Sequence, residues 1–193
     1  MPLDPDELRS LTRRDLFRRA RDIRGVVIGA TVEAVFRIAN IRAGAAELGI
    51  SDWLTAEVWP HWKKCPVLYV ISANSVETAT AIENAFPAAQ GRNLREYARC
   101  QKNNRSGATT TLYVGSSLTA IKLRLKQHLW QGPVGTYAMH THRWAEQINA
   151  PADGAVLVRI RKVTDPNGLG LTQNLEDALW RELRPMFGKL GGK

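Results

Sequence analysis

Val67-Leu68-Tyr69-Val70-Ile71-Ser72 and Thr109-Thr110-Thr111-Leu112-Tyr113-Val114-Gly115 are the two stretches on which the fold turns. Both are short and rich in β-branched and aromatic residues, and the first lies between Pro66 and Asn74, the punctuation of a strand. Around them the period is helical. Residues 5 to 62 read as helices, with Asp4 or Asp6 as the first cap. Within them the apolar run Gly25 to Ile41, interrupted by Glu33 and Arg37, reads as a buried helix. It is shorter than the roughly 20 apolar residues that span a bilayer. Val76 to Phe86 and Leu94 to Asn103 are helical and separated by Pro87 and Gly91. Leu118 to Trp130 is amphipathic, with Leu118, Ile121, Leu125 and Leu129 as its apolar stripe, and a helix around Tyr137 to Ile148 follows. Ala155 to Val163 alternates as a third strand, and Asn174 caps a last helix that Pro185 stops. The expectation is an α+β fold with a small, mostly antiparallel central sheet flanked by helices. Residues 1–62 form a helical N-terminal extension for packing or dimerisation, and 63–193 form the main domain, with an inserted basic helical arm at about 74–108.

The formal charge is +9, and its distribution is uneven. Residues 1–62 hold nine Lys/Arg against nine Asp/Glu, whereas 63–193 hold eighteen against nine. A basic field gathered in one section suits a phosphate backbone, because each neutralised phosphate releases counterions. A merely basic soluble protein is the bland alternative. The arm carries Arg92, Arg95, Arg99, Lys102 and Arg105 with only Glu96 as an acid, and Asn103 and Asn104 beside them. Arginine and asparagine can read the edges of G and A, so this arm is expected to touch DNA rather than to be an idle surface excursion. The Arg13 to Arg24 run is balanced by local acids and reads as a solvated helix face. Two cysteines, Cys65 and Cys100, are too few for a disulfide framework, and an acidic N-terminus is unlike a secretory signal, so a cytoplasmic protein away from the membrane is expected. His140-Thr141-His142 is rejected as a zinc pair, since residues two apart on a helix face different ways.

The order of strand with Tyr69, strand with Tyr113-Val114-Gly115, helix with Arg124 and His128, strand, then helix with Glu176 resembles the GIY-YIG nucleases over about residues 66 to 190. Val67-Leu68-Tyr69 stands where Gly-Ile-Tyr is expected, and Arg124 to His128 matches the family's Arg-x-x-x-His variant. Leu175-Glu176-Asp177-Ala178-Leu179 with Arg184-Pro185 resembles its metal-binding helix and exit. Three departures stand out: Val67-Leu68 replaces Gly-Ile, the gap from Tyr69 to Tyr113 is long, and Gly188 stands where asparagine often follows the proline. The insertion and the Arg-x-x-x-His variant are closest to the type II restriction endonuclease branch.

The resemblance implies a metal-dependent endonuclease on double-stranded DNA, acting as a homodimer. Tyr69, Tyr113, Arg124, His128 and Glu176 would be its catalytic residues, and Glu176 its ligand to Mg²⁺ or Mn²⁺. Arg124 would clamp the phosphate and Tyr69 would activate water, which requires neighbouring cations to lower a phenol pKa of about 10. Lys122 and Lys126, on the helix after what reads as a Gly-Ser-Ser turn, join the arm as expected DNA contacts. Each residue also has an ordinary role: strand tyrosines as core aromatics, the lysines as a solvated flank, and Glu176 as a carboxylate favoured by the dipole of a first helical turn. The alternatives in function are a structure-selective or RNA-cleaving nuclease, and a binding module on the same fold without turnover.

Overall fold

The computed structural model of the chain describes residues 5–55, 65–90, 109–130, 132–133, 136–165 and 170–191. Within them the alternating stretches form strands β1 (Val27–Arg37), β2 (Val67–Ala73), β3 (Thr111–Ser117) and β4 (Ala155–Thr164), which make one antiparallel sheet ordered β1-β4-β2-β3. Burial grades across it. In β2 every residue but Val70 is buried, as both flanking strands and helices on its faces require, whereas only Phe36 is buried in β1. The register sets Tyr69 opposite Gly115 and Ile71 opposite Tyr113. Residues two apart share a face, so the two tyrosines lie on one side of the sheet.

The helices are α1 (Pro5–Ile23), α2 (Ile38–Arg42), α3 (Ala46–Trp53), α4 (Val76–Gln90), α5 (Ile121–Leu129) and α6 (Thr172–Leu183), with a 3₁₀ segment at Thr141–Gln147. The core joins Tyr69 and Ile71 of β2 to Ile121, Leu125 and Leu129 of α5 and to Trp144, Phe86 and Phe187. The last three form an aromatic triangle with centroids 4.6 to 6.4 Å apart. Among the described residues no helix is long and apolar enough to cross a membrane.

The α+β architecture with its antiparallel sheet agrees with the sequence reading, but several local readings are corrected. Gly25–Ile41 is not a buried helix: most of it is β1, hydrogen-bonded to β4 in the register Val32↔Ile160. Its high content of β-branched residues outweighs a charge pattern that suggests helix. The N-terminal region therefore supplies a strand to the same sheet instead of being helical throughout. Pro87 lies within α4 rather than ending it, since proline's fixed φ is itself helical and only one hydrogen bond is forfeited. Gly115-Ser116-Ser117 belongs to β3, not to a turn, and Leu118 is exposed before α5 begins. The helix read over 137–148 reduces to the 3₁₀ segment, and Asn174 falls inside α6, whose N-cap is Leu171. There the Leu171 N–H is held by the Asp165 carboxylate at 3.3 Å.

Candidate active site

A cavity of about 270 Å³ opens where β2, β3, α5 and α6 meet, lined by Tyr69, Tyr113, Arg124 and Glu176 together with Gly115, Ser116, Tyr137, Gln173 and Lys189. Four of the five catalytic residues expected from sequence line it, and the fifth, His128, is buried directly behind Tyr69. Its floor is the tyrosine pair. The Tyr69 and Tyr113 rings stack at 6.1 Å with planes 10° apart. That stack depends on Gly115, because a Cβ there would lie 2.4 Å from the Tyr69 hydroxyl and 3.0 Å from the Tyr113 ring. The glycine of Tyr-Val-Gly is thus required by space, not by backbone angle.

His128 lies with its Nε2 3.1 Å from the Tyr69 hydroxyl. On the other side of the ring the Met139 N–H donates to Nδ1 at 3.3 Å. Arg124 Nη2 reaches Nε2 as well, at 3.4 Å, so both ring nitrogens face groups that can only donate, and the bond between Nε2 and the Tyr69 hydroxyl can run in either direction. The ring is held neutral: burial lowers its pKa well below 6.5, and the charges of Arg124 and His140 push the same way. The Thr141 hydroxyl donates to the His128 carbonyl at 2.9 Å and fixes the end of α5.

Arg124 lies one helical turn before His128 on the same side of α5. Its Nη1 donates to Gln127 Oε1 at 2.8 Å and its Nη2 to the Tyr137 carbonyl at 3.2 Å. Among the described residues no carboxylate stands within ion-pair distance of this half-buried guanidinium. Burial opposes its charge, yet the Tyr69 and Tyr113 oxygens outweigh that and hold its pKa above the ordinary value. Glu176, on α6, is buried, and the Ser116 hydroxyl donates to its Oε2 at 2.5 Å. Its carboxyl is raised above the usual range by burial; Ser116 works against the rise and Asp177 adds to it.

Burial dominates the ionisation of both phenols. Burial pushes Tyr69 up to about 12, against the lowering effect of Arg124, and raises Tyr113 as well, with Tyr69 adding to that rise. In both phenols desolvation outweighs the lowering effect of Arg124.

Other expected residues stand elsewhere. Lys126 is ion-paired with Glu47 of α3 at 2.7 Å, and Lys122 does not line the cavity. Arg92, Arg95, Arg99, Lys102 and Arg105 lie outside the described residues. His142 stacks on Trp130 at 3.9 Å and its Nδ1 meets the Ile41 carbonyl at 2.7 Å, while His140 Nε2 meets the Thr136 carbonyl at 3.0 Å, so each has a structural role. No cluster of three or more His, Cys, Asp or Glu occurs among the described residues, which leaves Glu176 as the carboxylate facing the cavity. Sequence reasoning missed Ser116, Tyr137, Gln173 and Lys189. Ser116 adjoins the Tyr-Val-Gly stretch and Gln173 lies one helical turn before Glu176 on α6, so both could have been found, but Tyr137 and Lys189 lie outside helices and strands, where no period marks them. In comparisons with known proteins, no family model, no curated protein and no solved structure matches the chain.

Proposed function

We propose that the cavity binds and hydrolyses a phosphodiester of double-stranded DNA with a divalent cation, in the manner of the GIY-YIG nucleases it resembles. The observation that carries this reading is Arg124: a half-buried cation held by neutral acceptors, in a cavity shared with a buried carboxylate and two phenols. A guanidinium kept from water without a counter-charge is costly, and its fork of donors matches phosphate oxygens. The donor set suits Mg²⁺ or Mn²⁺. Glu176 supplies a hard oxygen and is oriented by Ser116, and one carboxylate is enough for an ion that keeps several waters. When bound, the ion adds positive charge beside the phosphate and acidifies water.

The chain's own residues do the rest. Arg124 holds a phosphate oxygen and balances the charge that builds on it. The Tyr69 oxygen lies within hydrogen-bond reach of His128 Nε2, and the positive charge of Arg124 favours its phenolate, which can orient and deprotonate the attacking water. Tyr113, stacked on Tyr69, fixes that ring. Cutting both strands of a two-fold site suits a homodimer, as in a type II restriction enzyme. Supercoiled plasmid incubated with the chain and Mg²⁺ should be converted to discrete linear fragments, with EDTA abolishing conversion. Plasmid left intact under both conditions would defeat the nuclease reading and leave a binding module.

A further inference from the structure

After α6 the chain reverses at Arg184, which takes the left-handed conformation at φ 45°. Pro185 prevents further helix, and the next two residues run along β3: the Met186 N–H donates to the Thr111 carbonyl at 2.9 Å and the Phe187 N–H to the Leu112 carbonyl at 2.8 Å. Both side chains are fully buried, which anchors the segment. Gly188 then turns with φ 107°, where a Cβ would lie 3.2 Å from the Tyr113 ring. This tight turn over Tyr113 delivers Lys189 to the cavity, with its Nζ 5.5 Å from the centre of the Tyr137 ring.

Tyr137 therefore serves two cations at once. Its carbonyl accepts from Arg124 Nη2, and its ring face carries the Lys189 ammonium. Neither cation has a carboxylate within ion-pair distance among the described residues. The cavity is lined by two positive side chains, the half-buried Arg124 and the exposed Lys189, against the single carboxylate of Glu176. An aromatic face attracts an ammonium without neutralising it, so the lysine is positioned while its charge stays available.

We propose that Lys189, seated on Tyr137, is a further substrate contact: with Arg124 it forms a two-cation clamp on the DNA backbone phosphates at the cavity. This rests on the DNA-cleaving reading but is separable from it, because the clamp is a matter of binding and not of turnover.

The test is fluorescence anisotropy of a labelled DNA duplex in Ca²⁺ over a salt series, with the parent chain, Lys189→Ala, Lys189→Arg and Tyr137→Leu. Plasmid cleavage in Mg²⁺ is run alongside. Lys189→Ala should weaken binding by roughly tenfold, the scale of one charge-assisted contact, and reduce the slope of log affinity against log salt by about 0.9, as for one lost phosphate contact. Lys189→Arg should keep most of the affinity and the full slope. Tyr137→Leu keeps the carbonyl but loses the ring, so it should weaken binding less than Lys189→Ala and leave the slope unchanged. If Lys189→Ala matches the parent in both affinity and slope while the parent cleaves plasmid, the clamp is overturned and the nuclease reading stands. If the slope falls as expected but the parent never cleaves, the clamp stands and the nuclease reading fails. A parent that binds no duplex overturns both.

Discussion

The Tyr69 hydroxyl and His128 Nε2 lie 3.1 Å apart, and the ionisation of each decides what it can do. With its phenol pushed up to about 12, Tyr69 is neutral over the ordinary working range, so a mechanism that needs its phenolate should accelerate about tenfold per pH unit between pH 7 and 9. Tyr69→Phe keeps the ring but removes the oxygen, and single-turnover cleavage should fall by about 10²- to 10⁴-fold with a flattened pH profile. Full turnover in Tyr69→Phe would transfer the base role elsewhere. His128 contributes in the opposite pH range. Its folded pKa lies below 6.5, so between these values the unfolded chain binds more protons than the folded one, and stability is lost as pH falls. Denaturant midpoints should therefore drop below about pH 6.5 more steeply in the parent than in His128→Gln; parallel curves would mean that the ring is not held neutral. For Tyr69 the sign reverses: the folded chain holds the extra proton between about 10 and about 12, so this contribution is lost as pH rises through that window. Gly115→Ala introduces a Cβ 2.4 Å from the Tyr69 hydroxyl, inside the stacked pair. It should cost about 1–3 kcal/mol by overpacking and depress cleavage along with stability, measured by denaturant unfolding beside a cleavage assay. An unchanged midpoint would show that the rings have room to move.

At the scale of elements, the three strands that build the site were legible in sequence because each is short, β-branched and bounded by turn residues: Val67–Ala73, Thr111–Ser117 and Ala155–Thr164. β1 was not. Its Glu33 and Arg37 are four apart, as on one side of a helix, and that spacing masks the alternation of Val32, Ala34 and Phe36 on the face that packs against the core. Val26, Val27, Ile28, Thr31, Val32 and Val35 were the contrary signal. Tyr69, Tyr113, Arg124, His128 and Glu176 could be named because their order along the chain resembles that of the GIY-YIG nucleases; residue type and period alone left each with an ordinary role. Lys189 could not, because a left-handed residue, a proline and a glycine turn place it, and none of these predicts a destination. The ion pair of Lys126 with Glu47 ties α5 to α3 and sits partly in solvent. Glu47→Ala and Lys126→Ala should each lower stability by no more than about 1 kcal/mol, and the double variant should cost no more than the larger single effect. Additive losses in a double-mutant cycle would mean that the pair is only a contact of convenience.

Over the whole molecule the positive charge collects beyond residue 62, in the part that also carries the cavity. On the proposed function, long-range attraction for DNA and the local chemistry would lie in one section of the chain. Arg95, Arg99 and Lys102 add to this field from the sequence between β2 and β3. Replacing all three by alanine should weaken duplex binding and flatten its salt dependence, and an unchanged slope would remove the arm from the interface. Glu176 is the buried carboxylate that faces a cavity of cations and phenols, and Glu176→Ala is the most direct test of the proposed nuclease site. Plasmid cleavage in Mg²⁺ and duplex binding in Ca²⁺ are measured on the same preparations of parent and variant. The predicted result is loss of cleavage with binding largely retained, whereas a Glu176→Ala chain that cuts plasmid as fast as the parent would contradict the assignment of this cavity as a metal-dependent nuclease site.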